Sequence, residues 1–183
     1  VPVDNSAAKS SRSPWLNATG GERAPRWAWL ILIAIAIATL LPGTAAMPLL
    51  DRDEPRFSRA TVEMEQRDTW VVPYFNEEYR FDKPPLTYWW MRLNYAVFGH
   101  NELGARMHSM MSAAAIALLL LAMGRDFYGW RVGFWAGVAW LTLFQVWQHG
   151  RLAVADMPMV LALVLAHWAM WKLLTAEQWR RWG

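Results

Sequence analysis

Cysteine is absent from the 183 residues, which removes disulfide frameworks, thiolate metal sites and thiol nucleophiles from consideration. The histidines are few, and His100, His108, His149 and His167 lack the spacing of metal ligands, so they read as structural or interfacial residues. No internal repeat or low-complexity tract is evident. Gly129, Gly133 and Gly137 recur at every fourth position, but no strand signal precedes them and no Lys-Ser or Lys-Thr pair follows. They are therefore read as helix-packing positions and not as a phosphate loop. Charge is missing too from one long run: Trp27 to Met47 carries none, which is about the ~20 residues a helix needs to cross a bilayer.

What is present is apolar sequence in blocks. Hydrophobic residues make up 55% of the chain, and charged segments separate four runs, at about 27–47, 104–123, 130–148 and 154–174. Fourteen tryptophans crowd many of the block ends, where rings anchor at headgroup level. The expected class is an all-α integral membrane protein. A secretory leader is the alternative for the first run, but a cleaved apolar core is usually ~7–15 residues and this one is longer. Residues 1–24, rich in Ser, Ala and Pro, read as a disordered cytoplasmic tail, and residues 25–183 as the transmembrane part.

The formal net charge of +3 does not call for nucleic acid, because the basic residues flank the spans. Lys9, Arg12, Arg23 and Arg26 precede the first run, Arg125 and Arg131 lie between the second and third, and Lys172, Arg180 and Arg181 follow the fourth. The short connection between the third and fourth holds only Arg151. By the positive-inside rule both termini are cytoplasmic and the chain crosses the membrane several times.

The segment of about 50–103 then forms an outer loop too long to be a passive connector. Pro55 suits a helix start, and Phe57, Ala60, Thr61 and Met64 follow on one helical face, opposite Arg56, Arg59, Glu63 and Arg67. Two i,i+4 ion pairs are available on that polar face. After a turn-rich stretch, Pro84-Pro85 introduces a second short helix with Leu86, Trp89, Trp90, Leu93 and Val97, whose aromatic content suits the membrane interface.

Three clusters carry candidate chemistry. Asp51, Asp53 and Glu54 stand at the mouth of a helix, where carboxylates either cap free N–H groups or serve as a general base, with Arg56 holding an anion. Lys83 is held off the second helix by Pro84, as an interfacial lysine or as a phosphate ligand. Asp156, beside Met157 and Pro158, either pairs with Arg151, caps the last helix, or marks a functional site near the membrane.

Together Asp53-Glu54-Pro55-Arg56-Phe57, Asp82-Lys83-Pro84-Pro85-Leu86-Thr87-Tyr88-Trp89, and Arg151 with Ala155-Asp156-Met157-Pro158 resemble the N-terminal part of the GT-C superfamily of membrane glycosyltransferases. The similarity is to its lipid A aminoarabinose transferase and protein O-mannosyltransferase branch. The resemblance implies a GT-C transmembrane helix bundle with juxtamembrane helices in the first outer loop. It also implies transfer of a sugar from a polyprenyl-phosphate donor to a lipid, glycan or protein acceptor. Asp53, Glu54 and Asp156 are then the expected catalytic carboxylates, and Arg56 and Lys83 the ligands of the donor phosphate. No cofactor is required, and a divalent metal is possible but not demanded. Members of this superfamily are much longer, so the chain is expected to be an incomplete piece, inactive alone. The rival classes are a transport or lipid-binding module and a non-catalytic helical scaffold subunit.

Overall fold

The structure, a computed structural model, describes residues 22–50, 52–81 and 83–175. Most of the expected N-terminal tail, together with Asp51, Asp82 and residues 176–183, lies outside the described residues. The order of elements is α1 (Arg26–Leu40), α2 (Asp53–Gln66), β1 (Tyr74–Phe75), β2 (Glu78–Tyr79), α3 (Leu86–Phe98), α4 (Glu102–Phe127), α5 (Trp130–Thr142), α6 (Phe144–His149) and α7 (Asp156–Thr175).

The longest helix, α4, is the centre of the structure, and α1, α3, α5 and α7 all pack on it. Its start is fixed by Asn101, whose side chain accepts the Gly104 N–H at 2.8 Å and so satisfies one of the orphan donors of the first turn. One core cluster joins α1, α4 and α5. Ala28, Leu32, Ala36 and Leu40 repeat every fourth residue along α1 and meet Met110, Ala113, Ala117 and Leu121 of α4. The outward face of α1 is also apolar, with Leu30, Ile33 and Ile37 exposed.

Two described helices are long and apolar enough to cross a membrane, α4 and α7. Only 11% of the apolar stretch of α7 is buried, so this helix is not the enclosed core of a soluble domain. The described residues leave most of its apolar surface uncovered.

The other two expected spans are interrupted. The first ends at Leu40, because Pro42 has no N–H to continue the ladder and Gly43 turns the chain at φ +74°. The third breaks at Leu143, which is extended at ψ 131°. Just before it, the Thr142 hydroxyl donates to the carbonyls of Val138 and Ala139 at 3.0 and 3.1 Å, a local bond that competes with continued helix.

The glycines of α5 divide. A Cβ on Gly133 would lie 2.6 Å from the Leu121 carbonyl oxygen, and one on Gly137 would lie 2.9 Å from that of Ala117. Both are contact positions against α4. Gly129 is not: it has open space around its Cα, and its φ of +102° serves the turn into α5.

The second core cluster is built from α2, α3, the start of α4 and the segment before α7. Phe57, Ala60 and Met64 face Tyr88, Met91 and Tyr95, with Ala105, Ala153 and Val154 closing it. The expected face of α2 is thus the buried one. On α3, Leu86, Trp89, Leu93 and Val97 point away from this core and are exposed, while Thr87, Tyr88, Met91, Asn94 and Tyr95 are inside.

A two-residue hairpin lies over the polar face of α2. Tyr74 pairs with Tyr79 and Phe75 with Glu78, and Asn76 and Glu77 occupy the turn at φ +53° and +68°, as a type I′ hairpin turn requires. Of the two ion pairs available on α2, Arg59–Glu63 forms at 2.8 Å. Arg67 instead stacks over the Tyr74 ring, 4.3 Å from its centroid.

Candidate functional site

The loop after α1, the start of α2, α4 and the segment between α6 and α7 meet at one buried ion pair. Glu54, in the first turn of α2, is fully enclosed, and Arg106 of α4 is nearly so. Arg106 Nε donates to Glu54 Oε1 at 2.8 Å and Nη2 donates to Oε2 at 2.9 Å, the two-pronged geometry that makes such pairs strong and directional. The Leu50 N–H donates to Oε2 at 2.6 Å, and the Ala153 N–H donates to Oε1 at 2.7 Å. Four donors therefore occupy the roughly four lone-pair sites of one carboxylate.

Arg106 has further partners. Nη1 donates to the carbonyls of Thr44 and Met47 at 2.7 and 2.8 Å, and Nη2 donates to that of Pro48 at 2.8 Å. A charge placed inside an apolar helix run is expensive unless paired, and here it is spent on closing the loop between α1 and α2. One residue beyond Ala153, the Val154 carbonyl accepts the Ser109 hydroxyl at 3.2 Å and lies 3.0 Å from Nε2 of His108. The segment before α7 is thus held to α2 by its N–H and to α4 by its carbonyl.

Of the expected site residues, Glu54 belongs to this junction, Asp53 adjoins it in the chain, and Asp156 follows Ala153 by three residues. Asp53 is the first residue of α2 and is exposed, and no side-chain hydrogen bond caps the helix there. Among the described residues it makes no hydrogen bond or ion pair, and its carboxylate stands in the first turn of the helix. Lys83 is likewise exposed and unengaged. Arg56 is half-buried, with its guanidinium carbon 6.0 Å from the centre of the Phe75 ring.

Asp156 opens α7 and is exposed, with its Oδ2 3.8 Å from Nε2 of His149. Its alternative partner Arg151 points elsewhere. Arg151 donates to the Thr44 hydroxyl at 3.2 Å and to the Pro42 carbonyl, and lies over the Trp147 ring at 4.6 Å. Glu54, expected among the catalytic carboxylates, has no lone pair left for a substrate proton.

One cavity borders the junction and another lies between α1 and α4. The first, of about 370 Å³, is lined by Thr44, Met47, Leu50, Arg106, Trp147, Gln148, Arg151 and Leu152. The other, about 200 Å³ and almost wholly apolar, runs between Ile33, Ala36, Ile37 and Leu40 of α1, with Leu41 just beyond it, and Met107, Met110, Met111 and Ala114 of α4. Among the described residues no three His, Asp or Glu side chains cluster to hold a metal ion.

Residues 82–183 match the family described as dolichyl-phosphate-mannose-protein mannosyltransferase. This chain belongs to that family. Curated relatives include the undecaprenyl phosphate-α-4-amino-4-deoxy-L-arabinose arabinosyl transferases of Enterobacter sp. (strain 638) and Yersinia pestis (strain Pestoides F). Each is 30% identical, over 81% and 83% of this chain respectively, and the match covers 27% of the relative. The chain thus spans about a quarter of the length of these relatives.

Its fold is shared with ArnT from Cupriavidus metallidurans bound to undecaprenyl phosphate, at a TM-score of 0.70 and 23% identity over 78% of this chain and 26% of that one. The apo form of the same protein gives 0.69 at 22% identity, over 77% and 26% of the two chains. The mostly helical architecture is accordingly that of the matching quarter of ArnT.

Sequence reasoning does not single out Arg106, the residue on which the site is hung. The available signal is its position, a lone arginine in the first turns of a long apolar helix, which needs a buried partner. Nothing local in the sequence identifies that partner as Glu54.

Proposed function

We propose that this chain forms the N-terminal part of an inverting membrane glycosyltransferase that moves a sugar from polyprenyl phosphate to a hydroxyl or phosphate acceptor, with a lipid A-like acceptor implied by the resemblance of its motifs. The observation that carries the proposal is the contrast at α2. Glu54 is consumed by structure, while its neighbour Asp53 is exposed and unengaged at the same helix mouth. Asp53 accepts the proton of the acceptor as its oxygen attacks the anomeric carbon. The bond from that carbon to the phosphate oxygen breaks, and its electron pair leaves with the lipid phosphate.

Arg56 and Lys83, neither of them in an ion pair among the described residues, stabilise that departing charge. Asp156 contributes a second carboxylate from the start of α7. The backbone limits how far these groups can stray from the junction. Asp53 is adjacent to Glu54, and Asp156 is three residues from Ala153, so its Cα lies within roughly 11 Å of that residue's even if the chain is fully extended.

In this reading α2 and α3 are juxtamembrane helices at the outer face, with the exposed Leu86, Trp89, Leu93 and Val97 of α3 turned to the lipid interface. The protein is a multi-pass inner-membrane protein with cytoplasmic termini, and α1 and the α5–α6 pair complete four passes. The apolar groove between α1 and α4 suits part of a prenyl tail. Donor binding tests the phosphate assignment on the full chain that carries this segment. Lys83→Ala should weaken undecaprenyl phosphate binding by about 10-fold or more, the loss of one charge-assisted contact, and unchanged binding contradicts it.

A further inference from the structure

We infer that Arg106 and Glu54 act as a positioning pair for the proposed active site, fixing the backbone that carries Asp53 and the backbone that carries Asp156 in one frame, a role that rests on the transferase reading above. Five backbone groups from two separate segments, the loop between α1 and α2 and the stretch before α7, end on the pair. They are the N–H groups of Leu50 and Ala153 on Glu54, and the carbonyls of Thr44, Met47 and Pro48 on Arg106.

Two apolar residues of similar volume can be as stable as a buried ion pair. They cannot satisfy five directional backbone groups, each of which is costly if buried unpaired. The geometry is therefore specific to what it connects. Glu54 is covalently next to Asp53 and is bonded to the segment three residues before Asp156, while Ser109 and His108 hold the following carbonyl, Val154, to the same helix as Arg106.

Every bond of Glu54 runs to protein, and it is fully buried. It acts on the reaction only through the placement of its neighbours. Active sites are sensitive to such placement: a shift of about 1 Å can cost on the order of 10²-fold in rate.

The test uses the full chain that carries this segment, with undecaprenyl phosphate-α-4-amino-4-deoxy-L-arabinose as donor probe and lipid A as acceptor. Glu54→Gln and Arg106→Lys are compared with the double variant Glu54→Gln with Arg106→Gln, which leaves no unpaired buried charge and so protects the fold. Turnover is expressed per folded molecule. The expected result is a fall in kcat of about 10- to 100-fold in the double variant, with donor KM changed far less. The acidic limb of the pH–rate profile should stay in place, because Asp53 remains the base.

Fewer folded molecules, each turning over at the original rate, would mean a purely structural pair and overturn the proposal. Loss of the acidic limb would make Glu54 itself the base and overturn it as well. Asp53→Asn runs in parallel. Normal turnover there removes Asp53 as the base, and with it the site the pair would position, whereas an inactive Asp53→Asn beside pair variants of normal kcat removes only the positioning role.

Discussion

Glu63 and Asn76 are joined across the polar face of α2 by a hydrogen bond of 3.1 Å, donated by the Asn76 N–H to the Glu63 carboxylate. The neighbouring Glu77 N–H donates to the second oxygen at 3.2 Å, and Arg59 Nε donates to the first at 2.8 Å. Both turn residues have positive φ, a conformation that non-glycine residues adopt at some cost. One carboxylate thus holds the hairpin tip on the helix.

Burial opposes the charge of Glu63, but the bonds from Glu77, Arg59 and Asn76 outweigh it and hold the carboxyl below its ordinary value of 4.5. A carboxyl lowered in the folded state stabilises the fold in full above the unfolded pKa, and that contribution is lost as pH falls through the lowered value. Amide exchange at Asn76 and Glu77, corrected for intrinsic rate, should therefore show constant protection above about pH 5 and falling protection below 4.5. Glu63→Gln should remove that pH dependence and weaken the hairpin by about 1–2 kcal/mol. Protection that ignores both pH and the substitution contradicts this account.

Orientation in the membrane is tested by labelling. The chain has no cysteine, so single cysteines at exposed Asn76 and Tyr128 report without background. An impermeant maleimide should reach position 76 from the outer side and position 128 only after the inner side is opened. Labelling of both from one side contradicts the assignment of α2 and α3 to the outer face.

The parts of this fold that were legible in the sequence are those set by local patterning. Phe57, Ala60, Thr61 and Met64 fall at helical spacing and are the buried face of α2. Pro84-Pro85 precedes α3 as expected. Span ends were less legible: the run from Trp27 to Met47 is uniformly apolar, and only Pro42 and Gly43 mark the helix end within it. Apolar composition also cannot separate a core-facing glycine such as Gly133 from a turn glycine such as Gly129, since the difference lies in what the neighbouring helix presents.

The long-range junction was the least legible. Glu54 looks like half of an acidic pair with Asp53, yet it is buried and saturated while Asp53 is exposed. That separation follows from helix phase, with Glu54 on the inner side of α2 near Phe57 and Ala60, and from a partner 52 residues away. Single-sequence periodicity carries the first of these facts and not the second.

The central claim is that Asp53 is the base of a sugar transfer. Asparagine caps a helix about as well as aspartate, so Asp53→Asn separates a catalytic carboxylate from a structural one. The measurement is transfer from undecaprenyl phosphate-α-4-amino-4-deoxy-L-arabinose to lipid A by folded full-chain protein carrying that substitution. The account predicts turnover reduced by roughly 10²- to 10⁴-fold with donor binding largely retained; turnover close to that of the unaltered protein would contradict it.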